Sequence, residues 1–221
     1  MPKLTWDETG KRIYETGTDR GVLFMQDETG AYGAGVAWNG LMKVTESPDG
    51  AEETALYADN GKYLSLLSTE NFKGTIEAYT YPDEFGAADG TSELVKGVTV
   101  GQQTRMPFGL AYRTLVGNDV KATDFGYKLH LVWGAKASPA ERAYETVNDT
   151  PAAITFSWAF TTTPVDTGDA SLKKTASMVI DSTTADPAKL KALEDMLYGD
   201  GETTSPKLPT PAEVKSMFAA A

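Results

Sequence analysis

The chain has one histidine, and it is the first residue to examine for catalysis or metal binding. A serine–histidine–aspartate site or a histidine-ligated metal would have to use His130. That residue stands between Leu129 and Leu131 in a pattern of alternating apolar residues, which is typical of a strand. We interpret His130 as a structural strand residue. Catalytic zinc sites built on several histidines are excluded.

Cysteine chemistry is excluded because the chain contains no cysteine. It can form no disulfide, thiolate zinc site, iron–sulfur cluster or cysteine nucleophile. Gly33 and Gly35 lack the spacing of a phosphate-binding loop. The acidic pairs Glu52-Glu53 and Asp83-Glu84 lack the spacing of an EF-hand, so we interpret them as solvated loop charges.

Glycosidase activity and sugar binding require neither histidine nor cysteine, so both stay open as functions. A glycosidase needs two carboxylates a few ångströms apart, and the chain has 31 acidic residues. A sugar-binding β-sandwich can use tryptophans as stacking platforms, but Trp133 and Trp158 fall on apolar faces and are predicted to be core. A packing role is also predicted for Trp6 and Trp38. We therefore assign no catalytic, cofactor-binding or metal-ligating residue.

Composition predicts a globular protein with an acidic surface. Of the 221 residues, 41% are hydrophobic and 10% aromatic, which is enough for one domain with a sizeable core. No run approaches the ~18 apolar residues of a membrane span, and the N-terminal residues lack an apolar signal core. We expect a soluble protein that stays in the cytoplasm where it is made. The formal charge of −11 disfavours tight nucleic-acid binding.

Strict alternation of apolar and polar residues is the strongest periodic signal, and it predicts half-buried strands. It is clearest at 154–161, where Ile154, Phe156, Trp158 and Phe160 share one face. Similar patterns occupy 108–114 and 127–133, and further strands are predicted at 21–26, 35–45, 54–58, 72–81 and 176–181. Turn-forming Gly, Asn, Asp and Pro residues separate them. The pattern predicts a mainly β fold, either a sandwich or a barrel.

Helix is predicted chiefly near the C-terminus. Residues 186–198 form an amphipathic pattern in which Asp186 can cap the helix, Pro187 fits its first turn and Gly199 ends it. Thr210 and Glu213 have the spacing of a capping box for a second short helix. A helical turn is also predicted around 81–85.

Domain organisation follows from these patterns. We predict one β domain at 1–182, followed by a C-terminal helix, linker and tail at 183–221. Residues 1–20 and the segment 46–62 are polar and turn-rich. We hypothesise that they act as an N-terminal arm and an inter-subunit loop that become ordered only against neighbouring subunits.

Short runs in a fixed order resemble the major tail proteins of long-tailed phages. The first are Thr5-Trp6-Asp7-Glu8, Asp19-Arg20-Gly21-Val22-Leu23, Ala37-Trp38-Asn39-Gly40-Leu41, Thr45-Glu46-Ser47-Pro48 and Ala55-Leu56-Tyr57-Ala58-Asp59-Asn60. The later ones are Ala78-Tyr79-Thr80-Tyr81-Pro82-Asp83-Glu84-Phe85, Gly101-Gln102-Gln103, Phe108-Gly109-Leu110-Ala111-Tyr112-Arg113, Gly126-Tyr127-Lys128-Leu129-His130-Leu131-Val132 and Asn148-Asp149. The likeness extends over residues 5–165 and is weakest after 166.

The resemblance implies a structural subunit of a noncontractile tail tube, without catalytic activity. Such a subunit has a tail-tube β-sandwich or barrel with a flanking helix, and it assembles into stacked hexameric rings. DNA passes through the lumen without specific binding. The implied partners are a tape-measure protein, a tail terminator and distal tail or tip proteins. The implied location is the virion tail, assembled in the bacterial cytoplasm.

A different class of function stays open beside this one. The alternative is a carbohydrate-binding β-sandwich module on a virion or cell surface, with a small glycosidase as a more distant third. Under every interpretation, Ile154, Phe156, Trp158 and Phe160 are predicted to face the core. The same prediction is made for Leu129, Leu131 and Trp133.

Overall fold

The computed structural model describes residues 3–147, 149–150 and 152–219. The first six strands are β1 (Ile13–Met25), β2 (Val36–Ala37), β3 (Leu41–Glu46), β4 (Glu53–Ala58), β5 (Gly61–Leu67) and β6 (Lys73–Ala78). A 3-10 turn (Asp83–Phe85) and the short helix α1 (Gly86–Asp89) follow. The remaining elements are β7 (Ser92–Val95), β8 (Val98–Val100), β9 (Phe108–Asn118), β10 (Ala122–Ala137), β11 (Phe156–Thr162), β12 (Ser177–Asp181), α2 (Pro187–Tyr198) and α3 (Pro211–Phe218). The mainly β fold predicted from sequence is confirmed.

One antiparallel sheet forms most of the molecule. Its strand order is β2-β1-β9-β10-β11-β6-β3, and β12 pairs with β10 away from this path. One edge of the long strand β10 pairs with β9. Its other edge is divided between two partners: the middle, Lys128 to Val132, bonds to β12, and the end, Ala135 to Ala137, bonds to β11. Two hairpins, β4–β5 and β7–β8, form separate two-stranded sheets.

The large sheet curls until its last strand approaches its first strands. The Trp38 amide, just before β3, donates to the Gly21 carbonyl of β1 across 2.8 Å. A Cβ on Gly21 would lie 2.7 Å from the Leu41 side chain and 3.2 Å from the Trp38 Cβ, so glycine at this position allows the close approach. The sheet is therefore a barrel that closes through packing between β1 and β3.

The inside of this barrel holds the first core, which is rich in aromatic rings. Trp158 meets Phe85 at 5.0 Å and Tyr81 at 5.2 Å between ring centroids, both edge to face. Edge-to-face contacts are the geometry that aromatic quadrupoles favour. The buried residues of this core include Leu23, Trp38, Ile76, Phe85, Phe108, Leu110, Tyr112, Val132, Trp158 and Phe160.

The opposite face of the same strands holds a second core, which α2 and α3 cover. Asp186 caps α2 by accepting from the amides of Ala188 and Lys189, and Thr210 with Glu213 forms a complete capping box on α3. Buried leucines of α2 and Val214 of α3 pack on the sheet residues Val22, Phe24, Ala111, Leu129, Leu131, Trp133 and Ile180. Both helices and their predicted caps are confirmed.

The segment between the two helices is also bound to the sheet. The buried Leu208 belongs to the second core. The Trp133 indole donates to the Pro209 carbonyl across 3.0 Å, and the Gly35 amide donates to the Pro206 carbonyl across 2.9 Å. The predicted C-terminal segment 183–221 thus shares a core with the β domain predicted at 1–182.

The structure divides the predicted core residues between the two faces. Trp158 and Phe160 lie inside the barrel, whereas Leu129, Leu131 and Trp133 face the helices. The prediction for Ile154 is wrong: this residue precedes β11, which begins at Phe156, and its side chain is exposed. Alternation continued past the end of the strand into a segment that has no sheet partner.

The two remaining tryptophans differ in their environments. Trp38 is buried in the first core and donates its indole hydrogen to the Thr80 carbonyl, so its predicted packing role is confirmed. Trp6 is 76% exposed, so the packing role predicted for it is wrong within its own subunit. It precedes the first strand and has no core within reach.

A buried carboxylate, that of Asp89, connects the first core to the segment between β10 and β11. Asp89 is almost fully buried and accepts a hydrogen bond from the Trp158 indole across 3.1 Å. Arg142 pairs with its other oxygen, and Arg105 lies 3.5 Å away. Burying a carboxylate without such partners is costly, so the two arginines are required for this burial.

A second polar cluster, which includes His130, lies at the end of β3. The Tyr112 hydroxyl donates to Glu46 across 2.6 Å, and the Tyr112 ring stacks on the His130 imidazole at 4.6 Å. His130 Nδ1 lies 3.4 Å from the same Glu46 oxygen, and its Nε2 lies 2.9 Å from the Thr114 hydroxyl. The cluster connects the end of β3 to β9 and β10, in agreement with a structural role for His130.

Replacing Trp158 by alanine is expected to destabilise the protein by about 3–5 kcal/mol, the usual cost of deleting a large aromatic side chain from a packed core. The variant would also leave Asp89 without one of its donors. The matched control is Trp6→Ala, since Trp6 is 76% exposed whereas Trp158 is 1% exposed. Urea unfolding measures both. Equal stability of the two variants would contradict the assignment of Trp158 to the core.

The Glu46 cluster predicts a pH-dependent contribution to stability. His130 chiefly holds the pKa of Glu46 below its usual value, with the Tyr112 hydroxyl acting in the same sense and burial opposing. A lowered folded-state pKa gives stability that is present above the unfolded pKa and is lost as the pH falls through the folded pKa.

The difference in unfolding free energy between the wild type and Glu46→Gln is therefore expected to be largest near neutral pH. It should shrink as the pH falls below the ordinary glutamate value of 4.5. Urea titrations at several pH values measure this difference. The control is Glu28→Gln, which removes an exposed carboxylate from a surface turn. A difference for Glu46→Gln that stays constant with pH would contradict the prediction.

Candidate assembly surface

The β4–β5 hairpin is the most prominent surface that the two cores do not use. It begins within the segment 46–62 that the sequence predicts as an inter-subunit loop, and it extends on to Leu67. Its strands pair with each other and with no strand of the large sheet. Apart from the partly buried Ala55, every residue in the two strands is exposed.

Register places three leucines together on one face of this hairpin. Leu56 lies opposite Leu64, and the next pair on the same face is Thr54 with Leu66. Side chains directly opposite on an antiparallel pair lie ~5 Å apart, so these leucines form one continuous apolar strip. All three leucine side chains are exposed to solvent. We refer to Leu56, Leu64 and Leu66 as the leucine strip.

The other face of the hairpin is held by polar contacts. Glu53 accepts hydrogen bonds from Lys62 and Ser65, and the Lys62 ammonium is the main cause of the lowered pKa of Glu53. Tyr57 and Tyr63 are exposed close to the turn. These contacts stabilise the hairpin's register but cover none of the leucine strip.

The base of the hairpin is fixed to the barrel. Asp49 and Asn71 exchange backbone hydrogen bonds of 2.9 and 2.7 Å, and Lys73 pairs with Asp49. The hairpin therefore projects from the barrel end where β3 ends and β6 begins. An isolated two-stranded hairpin is marginally stable in water, so its leucine strip needs a further surface to pack on.

A second, shorter hairpin also exposes apolar side chains. Strands β7 and β8 pair only with each other, and Leu94, Val95 and Val98 are exposed. The molecule thus carries two projecting hairpins with uncovered apolar side chains.

The N-terminal segment is anchored to the turn that follows β9. The Gly10 amide donates to Asp119 across 2.9 Å, and Asn118 donates to the Gly10 carbonyl across 3.1 Å. Residues beyond Gly10 enter β1, so 13–20 of the predicted arm form part of the sheet. Residues 3–9 lie outside it, and Leu4 and Trp6 are exposed.

The residues considered for chemistry are not brought together. Gly33 and Gly35 lie in a loop whose amides donate to the carbonyls of Met25 and Pro206. The acidic pair 52–53 lies at the start of β4, and the pair 83–84 lies in the 3-10 turn. Within 3–147, 149–150 and 152–219, no group of three or more histidine, aspartate or glutamate side chains could hold a metal ion. Nor is any helix in these ranges long and apolar enough to cross a membrane.

The leucine strip was missed at the sequence level, where the segment 46–62 was interpreted as polar and turn-rich. The alternation of Leu64 with Leu66 and the aspartate-asparagine-glycine turn at 59–61 were available signals for a hairpin. Alternation predicts an apolar face, but it does not say whether the rest of the chain covers that face.

Comparison with known proteins gives no family, and the solved structures that the chain resembles are distant. No family model matches the chain, and no curated protein matches it. The structure is similar to the tube-terminating cap of the anti-feeding prophage, with 7% identity and a TM-score of 0.35, over 82% of this chain and 97% of that one. It is also similar to a chain of the sheath–tube complex of an extracellular contractile injection system, PVC, in the extended state. There the identity is 9% and the TM-score 0.32, over 73% of this chain and 88% of that one.

Proposed function

We propose that this chain is a self-assembling subunit of a phage-type tail tube. The observation that carries the proposal is the β4–β5 hairpin, which projects from the barrel with its leucine strip exposed. The sequence resemblance to major tail proteins implies a subunit that assembles with copies of itself, and such a subunit needs an exposed contact surface. Neighbouring subunits are the partners that would cover it.

The energetics favour burial of the strip in an assembly. Fully burying one leucine side chain stabilises a structure by about 1.5–3 kcal/mol. Each subunit adds one strip, and the same contact repeats at every interface. Contacts that join different surfaces of identical copies give a ring when the rotation closes and a filament when it does not. A tube of stacked rings uses both kinds of contact.

The finer features of the proposal derive from the resemblance. They are six subunits per ring, a noncontractile tail, and association with a tape-measure protein, a tail terminator and distal tail proteins. The subunit would be assembled in the bacterial cytoplasm and located in the virion tail. The lumen would conduct DNA without holding it. No catalytic, cofactor-binding or metal-ligating residue is assigned to the chain.

Oligomeric state separates this proposal from the carbohydrate-binding alternative. A sugar-binding module is expected to elute as a small, defined species whatever its concentration. A tube subunit is expected to form rings or polymers as its concentration rises, and electron microscopy of negatively stained protein would show them. A species that remains monomeric under all conditions and binds a glycan would contradict the tube proposal.

Leu66→Glu is expected to abolish polymers while leaving the melting temperature of the monomer unchanged. The new carboxylate would have to be buried without a partner at the interface, whereas it remains hydrated in the monomer. Sedimentation and electron microscopy measure assembly, and thermal unfolding measures the monomer.

The matched control is Val179→Glu on β12, because Val179 is 50% exposed and Leu66 is 54% exposed. Both changes put a glutamate at an exposed apolar strand position, so only the location differs. Normal polymers of Leu66→Glu, or an equal loss of polymers in Val179→Glu, would contradict an assembly role for the leucine strip.

Assembled tubes are expected not to retain duplex DNA, even at low salt. Each subunit carries a formal charge of −11, and a surface of that sign repels phosphates. A co-sedimentation experiment with duplex DNA at low and physiological salt tests this. Salt-sensitive retention of DNA by the tubes would show a basic lumen and contradict a passive conduit.

A further inference from the structure

A groove of about 770 Å³ lies beside the base of the β4–β5 hairpin. One wall comes from the end of β5 and the residues after it, and the other from the chain that leads into β12. Leu67, Phe72 and Pro164 give the groove an apolar floor, and Lys173 and Lys174 stand at its side. Phe72 is already partly packed against the first core, with its ring 6.4 Å from that of Phe160.

The groove carries net positive charge in a strongly acidic chain. Its two lysines outnumber its one carboxylate, Glu70. Neither lysine forms an ion pair with any carboxylate among the described residues, although nearby Lys73 pairs with Asp49. The site therefore favours an acidic segment that also carries apolar side chains.

The N-terminal segment of the same chain has this chemistry. Leu4 and Trp6 are exposed, and Asp7 and Glu8 follow them directly. Glu8 already pairs with Lys11, whereas the Asp7 carboxylate has no basic partner within the described part of the chain. An exposed tryptophan next to an unpaired carboxylate matches an apolar floor with unpaired lysines at its side.

Distance prevents the segment from reaching the groove of its own subunit. Gly10 is tied to the turn after Asn118, and Asn118 pairs with Ala122, whereas the groove residue Ser177 pairs with Val132. Along the paired strand β9, the eight steps from Asn118 to Leu110, the partner of Val132, span about 27 Å at the usual rise of a strand. The four residues from Gly10 to Trp6 reach at most about 14 Å.

We infer that residues 3–8 of one subunit dock in this groove of a second copy, with Trp6 on the apolar floor and Asp7 facing Lys173 and Lys174. The arm and the groove lie at opposite ends of β10, so the contact is head to tail, the kind that propagates from copy to copy. This inference rests on the proposed function, because it names one contact of the proposed assembly.

The absence of cysteine allows a direct test by disulfide trapping. Thr5→Cys is placed in one batch of full-length protein and Thr69→Cys in another, and the two are mixed under assembly conditions with a mild oxidant. A disulfide forms only where the two Cα atoms approach within about 7 Å. The expected product is the mixed covalent dimer, detected on a non-reducing gel.

The matched control mixes Thr5→Cys with Glu28→Cys, which lies in an exposed turn away from the groove. The inference predicts a clear excess of the Thr5–Thr69 dimer over the control dimer. If polymers form but the two yields are equal, the arm does not occupy the groove, and the proposed function is unaffected. If the wild-type chain forms no assembly, the proposed function and this inference both fail.

Charge reversal tests the electrostatic part of the contact. Lys173→Glu with Lys174→Glu in the Thr69→Cys chain is expected to reduce the trapped dimer by about threefold or more, since each exposed ion pair contributes up to about 1 kcal/mol. Adding Asp7→Lys to the Thr5→Cys chain should restore part of the yield. Thermal unfolding confirms that both variants fold. An unchanged yield, or a loss that Asp7→Lys does not relieve, would overturn the pairing of Asp7 with the two lysines.

Discussion

Burial of the β9–β10 hairpin on both faces is the constraint on which the rest of the structure depends. Leu110 and Val132 face the inside of the barrel, while Ala111 and Leu131 on the same two strands face the helices. An antiparallel sheet often leaves one face to water. Here both faces are apolar. The sheet therefore curls so that one face encloses the first core, and α2 and α3 cover the other face.

The polar clusters are arranged around this double core. Asp89 is buried at one end of the barrel, where Trp158, Arg105 and Arg142 surround it. Glu46 lies at the end of β3, where Tyr112 and His130 connect β3 to the central strands. Each carboxylate joins segments that are far apart in sequence, and each is surrounded by donors or by opposite charge. The only histidine of the chain is thus part of the cluster that connects β3 to the central strands.

Some parts of the chain lie outside both cores and carry exposed apolar side chains. The leucine strip, the β7–β8 hairpin and the N-terminal segment all expose apolar side chains that no element of the same subunit covers. In a protein that works alone, such surfaces favour uncontrolled association. In a subunit of a repeating assembly, the same surfaces are interfaces. Their fixed attachment points, at Asp49 and at Asn118, restrict the directions in which a neighbour can bind.

The sequence by itself determined the local structure. Alternation predicted the main strands, and Asp186, Thr210 and Glu213 predicted both helix starts, because strand periodicity and capping depend on residues close together in the chain. Tertiary structure decided the rest. Trp158 and Trp133 have the same alternating pattern but lie in different cores, and Ile154 continues the pattern without being buried. Alternation shows only that residues two positions apart lie on the same face of a strand. Whether that face is buried depends on which distant element packs on it. The leucine strip became recognisable as a surface only when the structure showed that nothing in the described chain covers it.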